Sequence, residues 1–412
     1  MTAIDVHAVS AGTMHAAALE AMCAHTGGFL RLIKSFGEPL LVSLGPSLLR
    51  VSARTLTVRA YSSQSLELQH VIGAMNLGES SQFVSQFTSL VGESWQGFTF
   101  YYDVVDELSE GDYVSLQVIV MASLGFVSFL DACVQVEISW SSEDGSHRTR
   151  VFPSRIALAS SLPVVLSKLS PFACCMAIAK QATAKANEND AASAKQYVNA
   201  CVRSIAQQFA PSARISLSRY LQYPRSWVPG LYSLYLLLRG PLLGVVLQHH
   251  DDMHCARALF LHASAHLASL LAQPYMVMMV HPDAHVPIPP LDTELVPDRV
   301  ICVDAGGEIF LWIGGQAAAS LAEQGRAFVA AAAYAAASRF PVPHITVVHE
   351  GGSAERGILA VRFLLKRLPF HIYPDFHFIS HLLIACHSCS EGRWCHAICT
   401  GFTVQVSSFV FF

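Results

Sequence analysis

Four regimes of hydrophobic spacing follow one another along the chain, and each predicts a different kind of structure. In the first, residues 1–36, Ile4-Asp5-Val6-His7-Ala8-Val9 alternates as a strand does. His15 to Ala24 has helical spacing, and Thr26-Gly27-Gly28-Phe29-Leu30 is a turn into a last short strand. A lone βαβ unit cannot bury both faces of a parallel sheet, so more chain or another chain is expected to complete it. Residues 37–160 form the second regime and read as β. Leu56–Arg59, Ser65–Leu68, Gly97–Val105, Val114–Val120 and Cys133–Trp140 alternate or form short apolar runs. Ser141 to Ser146 is a polar hairpin turn leading into His147–Val151. Strands at this spacing predict a β-sandwich.

Residues 161–275 switch to helical periodicity. Tyr197, Val198, Cys201, Val202, Ile205, Ala206 and Phe209 recur at three- and four-residue steps, with Asn189 or Asp190 as the start signal. Leu259, Phe260, Ala263, Leu267, Leu270 and Leu271 do the same in a second segment, and a small helical bundle is expected. In residues 276–370, Val300–Val303 and Ile309–Gly314 form a strand–turn–strand. An Ala-rich helix from Gln316 to about Ser338 follows, with Leu321, Phe328, Val329 and Ala332 on one face. A strand at Ile345–Val348 and a helix after Ser353 complete a ββαβα order. Residues 371–412 are apolar and rich in His and Cys, and fit none of these patterns; a misread intron or frame is the expectation there.

Composition narrows the function. The 412 residues are 52% hydrophobic and 14% charged, enough apolar material for several cores in an unusually uncharged chain. The mean hydropathy of +0.41 raises the question of a membrane span. Tyr113–Leu130 is uncharged over 18 residues but holds Ser115, Gln117, Ser123, Gly125 and Ser128, and reads better as two buried strands. Leu231–Leu247 is interrupted by Arg239, Gly240 and Pro241. The first residues lack the basic and apolar regions of a secretory signal, so a cytosolic chain is expected. The net charge is −4, and no basic run or aromatic-interleaved basic patch occurs, which argues against nucleic-acid binding.

Candidate chemistry is sparse. There is no GxSxG elbow, no phosphate-binding GxxxxGK[ST] loop and no GxGxxG after a strand, so a self-contained hydrolase, NTPase or dehydrogenase is not expected. Seven of the 11 cysteines are scattered through apolar segments, as reduced core thiols are. Cys386, Cys389, Cys395 and Cys399 form two close pairs, but five residues between the pairs is far less than zinc knuckles use, so no cofactor is expected. His250 and His254 stand at i, i+4 in HHDDMHC, without the Glu of HExxH; Asp251 and Asp252 suit a solvated helix start. The remaining feature is Ser338 to Arg362, where a proline-flanked strand runs into His349-Glu350-Gly351-Gly352-Ser353 and then to Arg356. A Gly-Gly-Ser turn feeding a helix can hold an arginine out toward a partner's phosphates, or can be a plain corner with a solvated arginine.

The block SRFPVPHITVVHEGGSAER, followed by RFLL, resembles the C-terminal module of the COPII inner-coat subunit family that activates a small coat GTPase. The N-terminal AIDVHAVSAG…MCAHTGGFLRLIKSF pattern resembles the close of that family's von Willebrand-type α/β trunk. VQVEISW with RTRV resembles its β-sandwich hairpin, and Asp304 to Gly314 resembles a gelsolin-like domain. The resemblance implies a multidomain α+β chain. Its parts are the end of the trunk (1–36), a β-sandwich (37–160), an all-helical domain (161–275), a gelsolin-like α/β domain (276–370) and an unassigned tail (371–412).

It further implies a coat component that activates GTP hydrolysis in ER-to-Golgi transport, an activator rather than an enzyme. One arginine is the finger supplied in trans, and residues 349–353 meet the partner. Arg356 keeps the family's spacing after Ser353, whereas Arg362 keeps the following Phe363-Leu364-Leu365; the spacing favours Arg356. Expected partners are the small coat GTPase, the cargo-binding coat subunit and the outer-coat cage proteins. The expected location is the cytosolic face of the ER membrane at exit sites, as a peripheral protein. The rival readings are the cargo-binding sister subunit, a catalytically dead coat paralogue, and an actin-binding protein of gelsolin type.

Overall fold

The computed structural model describes residues 3–9, 13–33, 44, 53–62, 66–81, 84–93, 95–104, 133–141, 145–155, 170–209, 225–240, 242–243, 250–281, 284–288, 290, 294–336, 343–352 and 402–404. The predicted strand at 114–120, the uncharged run 113–130, the helix after Ser353 and the four tail cysteines lie outside these residues.

The N-terminal unit is β1 (Val6–Val9), α1 (Ala16–Thr26) and β2 (Leu30–Ile33), with β1 and β2 parallel and Val6 opposite Leu30. Gly27 ends α1 with φ 78°, its N–H donating to Ala24 O at 3.1 Å. A side chain there would run into Ser89, and one at Gly28 would run into the Ile4 carbonyl, so both positions require glycine.

The β regime contains more strands than its pattern announces: β3 (Ala53–Tyr61), β4 (Leu66–Ile72), β5 (Asn76–Ser81), β6 (Val84–Gly92), β7 (Thr99–Val104), β8 (Cys133–Ser141) and β9 (His147–Arg155). They form two antiparallel sheets, β5-β6-β3-β8-β9 and β15-β7-β4, where β15 is Phe402–Val404. Leu56, Val58 and Ala60 of β3, Phe87 of β6, Val136 and Ile138 of β8, and Phe100 and Tyr102 of β7 share one core. This is the face-to-face packing of a sandwich. β5 and β6 escaped prediction because β5 is largely exposed, and β6 buries Ser89 as well as Phe87.

Among the described residues, five α-helices follow: α2 (Pro171–Glu188), α3 (Ala191–Phe209), α4 (Val228–Arg239), α5 (His250–His262) and α6 (Ala265–Ala272). Ser170 caps α2 by accepting from Ala173 N, and Asp190 accepts from Ser193 N at 2.7 Å to start α3. α3 buries Ala194, Val198, Val202 and Ile205, and α4 is buried on nearly every side at the centre of the bundle. The single helix expected across Leu259–Leu271 is two. The chain breaks at Ala263, which forms a β-bridge with Gln96, while Ser264 N donates to Trp95 O at 2.6 Å and Ser264 caps α6. Trp95 from the sandwich is itself part of the helical core.

The last module is a mixed sheet in the order β11-β10-β12-β13-β14, formed by β10 (Tyr275–His281), β11 (Ala284–Ile288), β12 (Val300–Asp304), β13 (Glu308–Ile313) and β14 (His344–His349). Helix α7 (Ala319–Ala336) covers one face. The predicted apolar face of α7 is shifted: Ala322, Gly325 and Val329 are buried, and Leu321 and Phe328 flank them. A Cβ on Gly325 would stand 2.7 Å from Val300 Cγ1 and 2.8 Å from Leu311 Cδ1, so the missing side chain lets the helix lie close to the sheet. The opposite face carries a second core of Met276, Ile301, Val303, Phe310, Trp312 and Val348. β10 serves both cores, so it shows a continuous apolar run rather than alternation.

Candidate functional site

The corner singled out by the sequence lies at the edge of this last sheet. β14 pairs in parallel with β13, and the ladder ends with Ile313 opposite His349. Parallel pairing needs a crossover, which α7 supplies, and it brings the end of β14 beside the exit of β13. His349, Glu350 and Gly351 are exposed, and Gly352 is half-buried.

The backbone then turns sharply. Glu350 N donates to Ile313 O at 3.0 Å, one rung past the strand, and Gly352 N donates to His349 O at 3.0 Å. Gly351 has φ 73°, a conformation glycine adopts without steric cost. The Glu350 carboxylate accepts from Gly315 N at 2.6 Å. Gly315 belongs to a loop that is itself fastened: Gly314 N donates to Arg299 O at 2.9 Å and Gln316 N to Pro297 O at 2.8 Å. Arg299 in turn pairs with Glu294 at 2.6 Å. Of the residues assigned to the corner, the structure brings His349, Glu350, Gly351 and Gly352 together. Ser353, Arg356 and Arg362 lie outside the described residues.

The HHDDMHC segment corrects its expectation. Asp251 is buried at 5% exposure and accepts from Met14 N at 2.6 Å and Ala16 N at 3.0 Å. It caps α1 across the molecule rather than facing water at the start of its own helix. His254 and His262 approach Glu20 of α1 at 3.8 and 3.7 Å. Burial pushes the Glu20 carboxyl up, but the two histidines outweigh it and hold it below its ordinary value. Burial lowers His262, as does nearby Lys180, while Glu20 opposes them. Lys180 is fully buried, which lowers it to about 7, and its ammonium donates to Leu261 O at 3.0 Å and Ala263 O at 2.7 Å where α5 breaks.

The roles of Glu20, Lys180, Asp251 and Gly315 were not visible in the sequence, because each partner lies 35 or more residues away. Among the described residues, no group of three His, Cys, Asp or Glu is placed to hold a metal, and no helix is long and apolar enough to cross a membrane. Burial pushes the Cys23 and Cys174 thiols up to about 11 and those of Cys255 and Cys302 up to about 12, the condition of inert core thiols.

With this geometry in place, comparison with known proteins gives a consistent picture. The Gelsolin repeat family model matches residues 284–357, from β11 to just past the corner. The protein transport protein SEC23 A of Arabidopsis thaliana is 25% identical over 390 residues, covering 91% of this chain and 41% of that protein. The crystal structure of the human COPII-coat protein Sec24c matches with a TM-score of 0.69 and 15% identity, covering 85% of this chain and 49% of that one. The Thorarchaeota 2DGel3/rabbit actin complex matches 21% of this chain at a TM-score of 0.19, too low to say anything of the fold. The chain thus spans less than half the length of the relatives it matches, and its fold is their multidomain α+β architecture.

Proposed function

We infer that this chain, a relative of the Sec23/Sec24 proteins aligned with their C-terminal part, is a COPII coat component in ER-to-Golgi vesicle transport that stimulates GTP hydrolysis by the small coat GTPase. The coat assignment rests on the likeness to SEC23 A along nearly the whole chain. The activating half rests on one observation, the exposed corner at 349–352, which turns away from an ordered sheet edge and leads in sequence to Arg356.

The chemistry asked of such a corner is specific. As GTP is hydrolysed, charge builds on the phosphate oxygens, and a guanidinium inserted from a neighbouring protein offsets it with two parallel hydrogen bonds. Arg356 would be that group, with Arg362 as the competing candidate. Removing such a finger costs on the order of 10³–10⁵ in rate, roughly 4–7 kcal/mol of barrier. His349, Gly351, Gly352 and Ser353 would form the shoulder against the GTPase, with the Glu350 carboxylate turned back on its own domain. The further partners proposed are the cargo-binding coat subunit and the outer-coat cage proteins, on the cytosolic face of the ER membrane, where the chain sits peripherally. No cofactor is needed for a finger mechanism.

The test is single-turnover GTP hydrolysis by the small coat GTPase with the unaltered chain, Arg356→Ala and Arg362→Ala. Loss of stimulation in Arg356→Ala, with binding retained, is the expected result. Loss in Arg362→Ala alone would transfer the role to that residue. Stimulation that survives both substitutions would overturn the finger mechanism. No stimulation by the unaltered chain would point instead to the cargo-binding or inactive reading.

A further inference from the structure

Glu350 is the described residue that joins the corner to the body of the domain through both its backbone and its side chain. Its N–H extends the β13–β14 ladder to Ile313 O at 3.0 Å, and its carboxylate takes the Gly315 N–H at 2.6 Å. These two bonds act on consecutive parts of one loop, 313–315, so they resist both rotation and lifting of the turn. The loop cannot easily yield in response. Gly314 lies so close to the Pro297 carbonyl that a Cβ would collide with it, and the bonds from Gly314 N to Arg299 O and from Gln316 N to that same Pro297 O fasten the loop there.

Gly351 and Gly352 follow Glu350, and the Gly352 N–H donates to His349 O, a contact within the turn itself. Two successive glycines have a wide choice of backbone angles, so the anchoring of the residue before them bears on where the turn leads. An exposed carboxylate engaged with a backbone amide has no role in a core, and its short charge-assisted bond is of the stronger kind.

We propose that Glu350 is a positioning residue: by clamping the turn to Gly315 it fixes the direction in which the chain leaves toward the finger arginine, setting the stimulated rate rather than the affinity for the GTPase. This rests on the activating reading above. It assigns Glu350 a function distinct from the contact role of its neighbours, because its carboxylate is directed at its own domain.

The experiment uses the full chain with Glu350→Ala and Glu350→Gln and takes two readouts. The first is hydrogen exchange at the Gly315 amide, which requires no GTPase. Glu350→Ala should speed that exchange by roughly tenfold, the loss of one hydrogen bond to a charged group, whereas Glu350→Gln keeps an acceptor oxygen and most of the protection. The second is the single-turnover rate at saturating chain and the concentration that half-saturates it. Glu350→Ala should lower the saturating rate by about 10–100-fold with the half-saturating concentration unchanged, and Glu350→Gln should recover most of it.

Unchanged Gly315 exchange in Glu350→Ala would overturn the clamp whatever the GTPase does. A raised half-saturating concentration with the full rate retained would make Glu350 a contact residue and equally overturn the proposal. If the unaltered chain gives no stimulation, the activating reading fails and the positioning role fails with it, while the exchange result still separates a clamp from none.

Discussion

Single residues carry unequal responsibility for this fold, and two of them can be tested directly. The Tyr102 hydroxyl is buried in the sandwich core with no hydrogen-bond partner among the described residues, and burial pushes it well above the usual phenol range. Removing a buried, unpaired polar atom while keeping the ring relieves a desolvation penalty. Tyr102→Phe should therefore raise the urea midpoint, by about 1 kcal/mol of stability. Asp251 is the opposite case, since its two oxygens accept from Ala16 N, the first amide of α1, and from Met14 N just before the helix, 235 or more residues away. Asp251→Ala should cost about 2–3 kcal/mol, from the lost cap and the amides left unpaired in a partly buried site. The same variant should accelerate hydrogen exchange at Ala16 before any effect at β12.

At the level of elements, the break between α5 and α6 is held open by Lys180, and that lysine imposes a pH dependence. Its folded value of about 7 lies far below the ordinary lysine value, so above pH 7 the unfolded chain holds a proton that the folded chain has released. Unfolding then takes up protons, and stability rises with pH. Between pH 7 and 8.5 the gain should be about 1–2 kcal/mol, read as an upward shift of the urea midpoint. Lys180→Met should flatten that slope. The window stops at 8.5 because the raised thiols of Cys23, Cys174, Cys255 and Cys302 reverse the sign at higher pH: the unfolded chain ionises there first.

The same elements show what the sequence could disclose. Helix α3 was legible because Val198, Val202 and Ile205 are large apolar residues at helical steps with Asp190 in front. Helix α2 was not, because its buried face is made largely of Ala and Cys, which carry little periodic signal. β10 was hidden by burial on both faces, and β5 by exposure. At the corner, the glycines and the turn were legible, but the bond from Glu350 to Gly315 joins residues 35 positions apart and leaves no local mark.

Across the whole molecule, the modules are keyed into one another. Gln96 of the sandwich donates to Gly27 O at 3.1 Å, and Trp95 lies in the helical core with its indole N–H on Glu93 at 2.7 Å. The Gly306 turn of the last module packs against Leu267 and Leu271 of α6. Such contacts predict coupled unfolding. Trp95→Ala should cost about 3–5 kcal/mol and lower the transitions of sandwich and helices together, as tracked by exchange at Val58 and Val198. A shift confined to one of them would separate the modules.

The Sec23/Sec24-like architecture thus carries the 349–352 corner at the exposed edge of its last sheet. The most direct test of that account is the rate of single-turnover GTP hydrolysis by the small coat GTPase as this chain is added. A saturating acceleration on the order of 10³-fold or more, abolished by Arg356→Ala, is the result it predicts. A rate that stays at the unstimulated value although the chain binds the GTPase would contradict it.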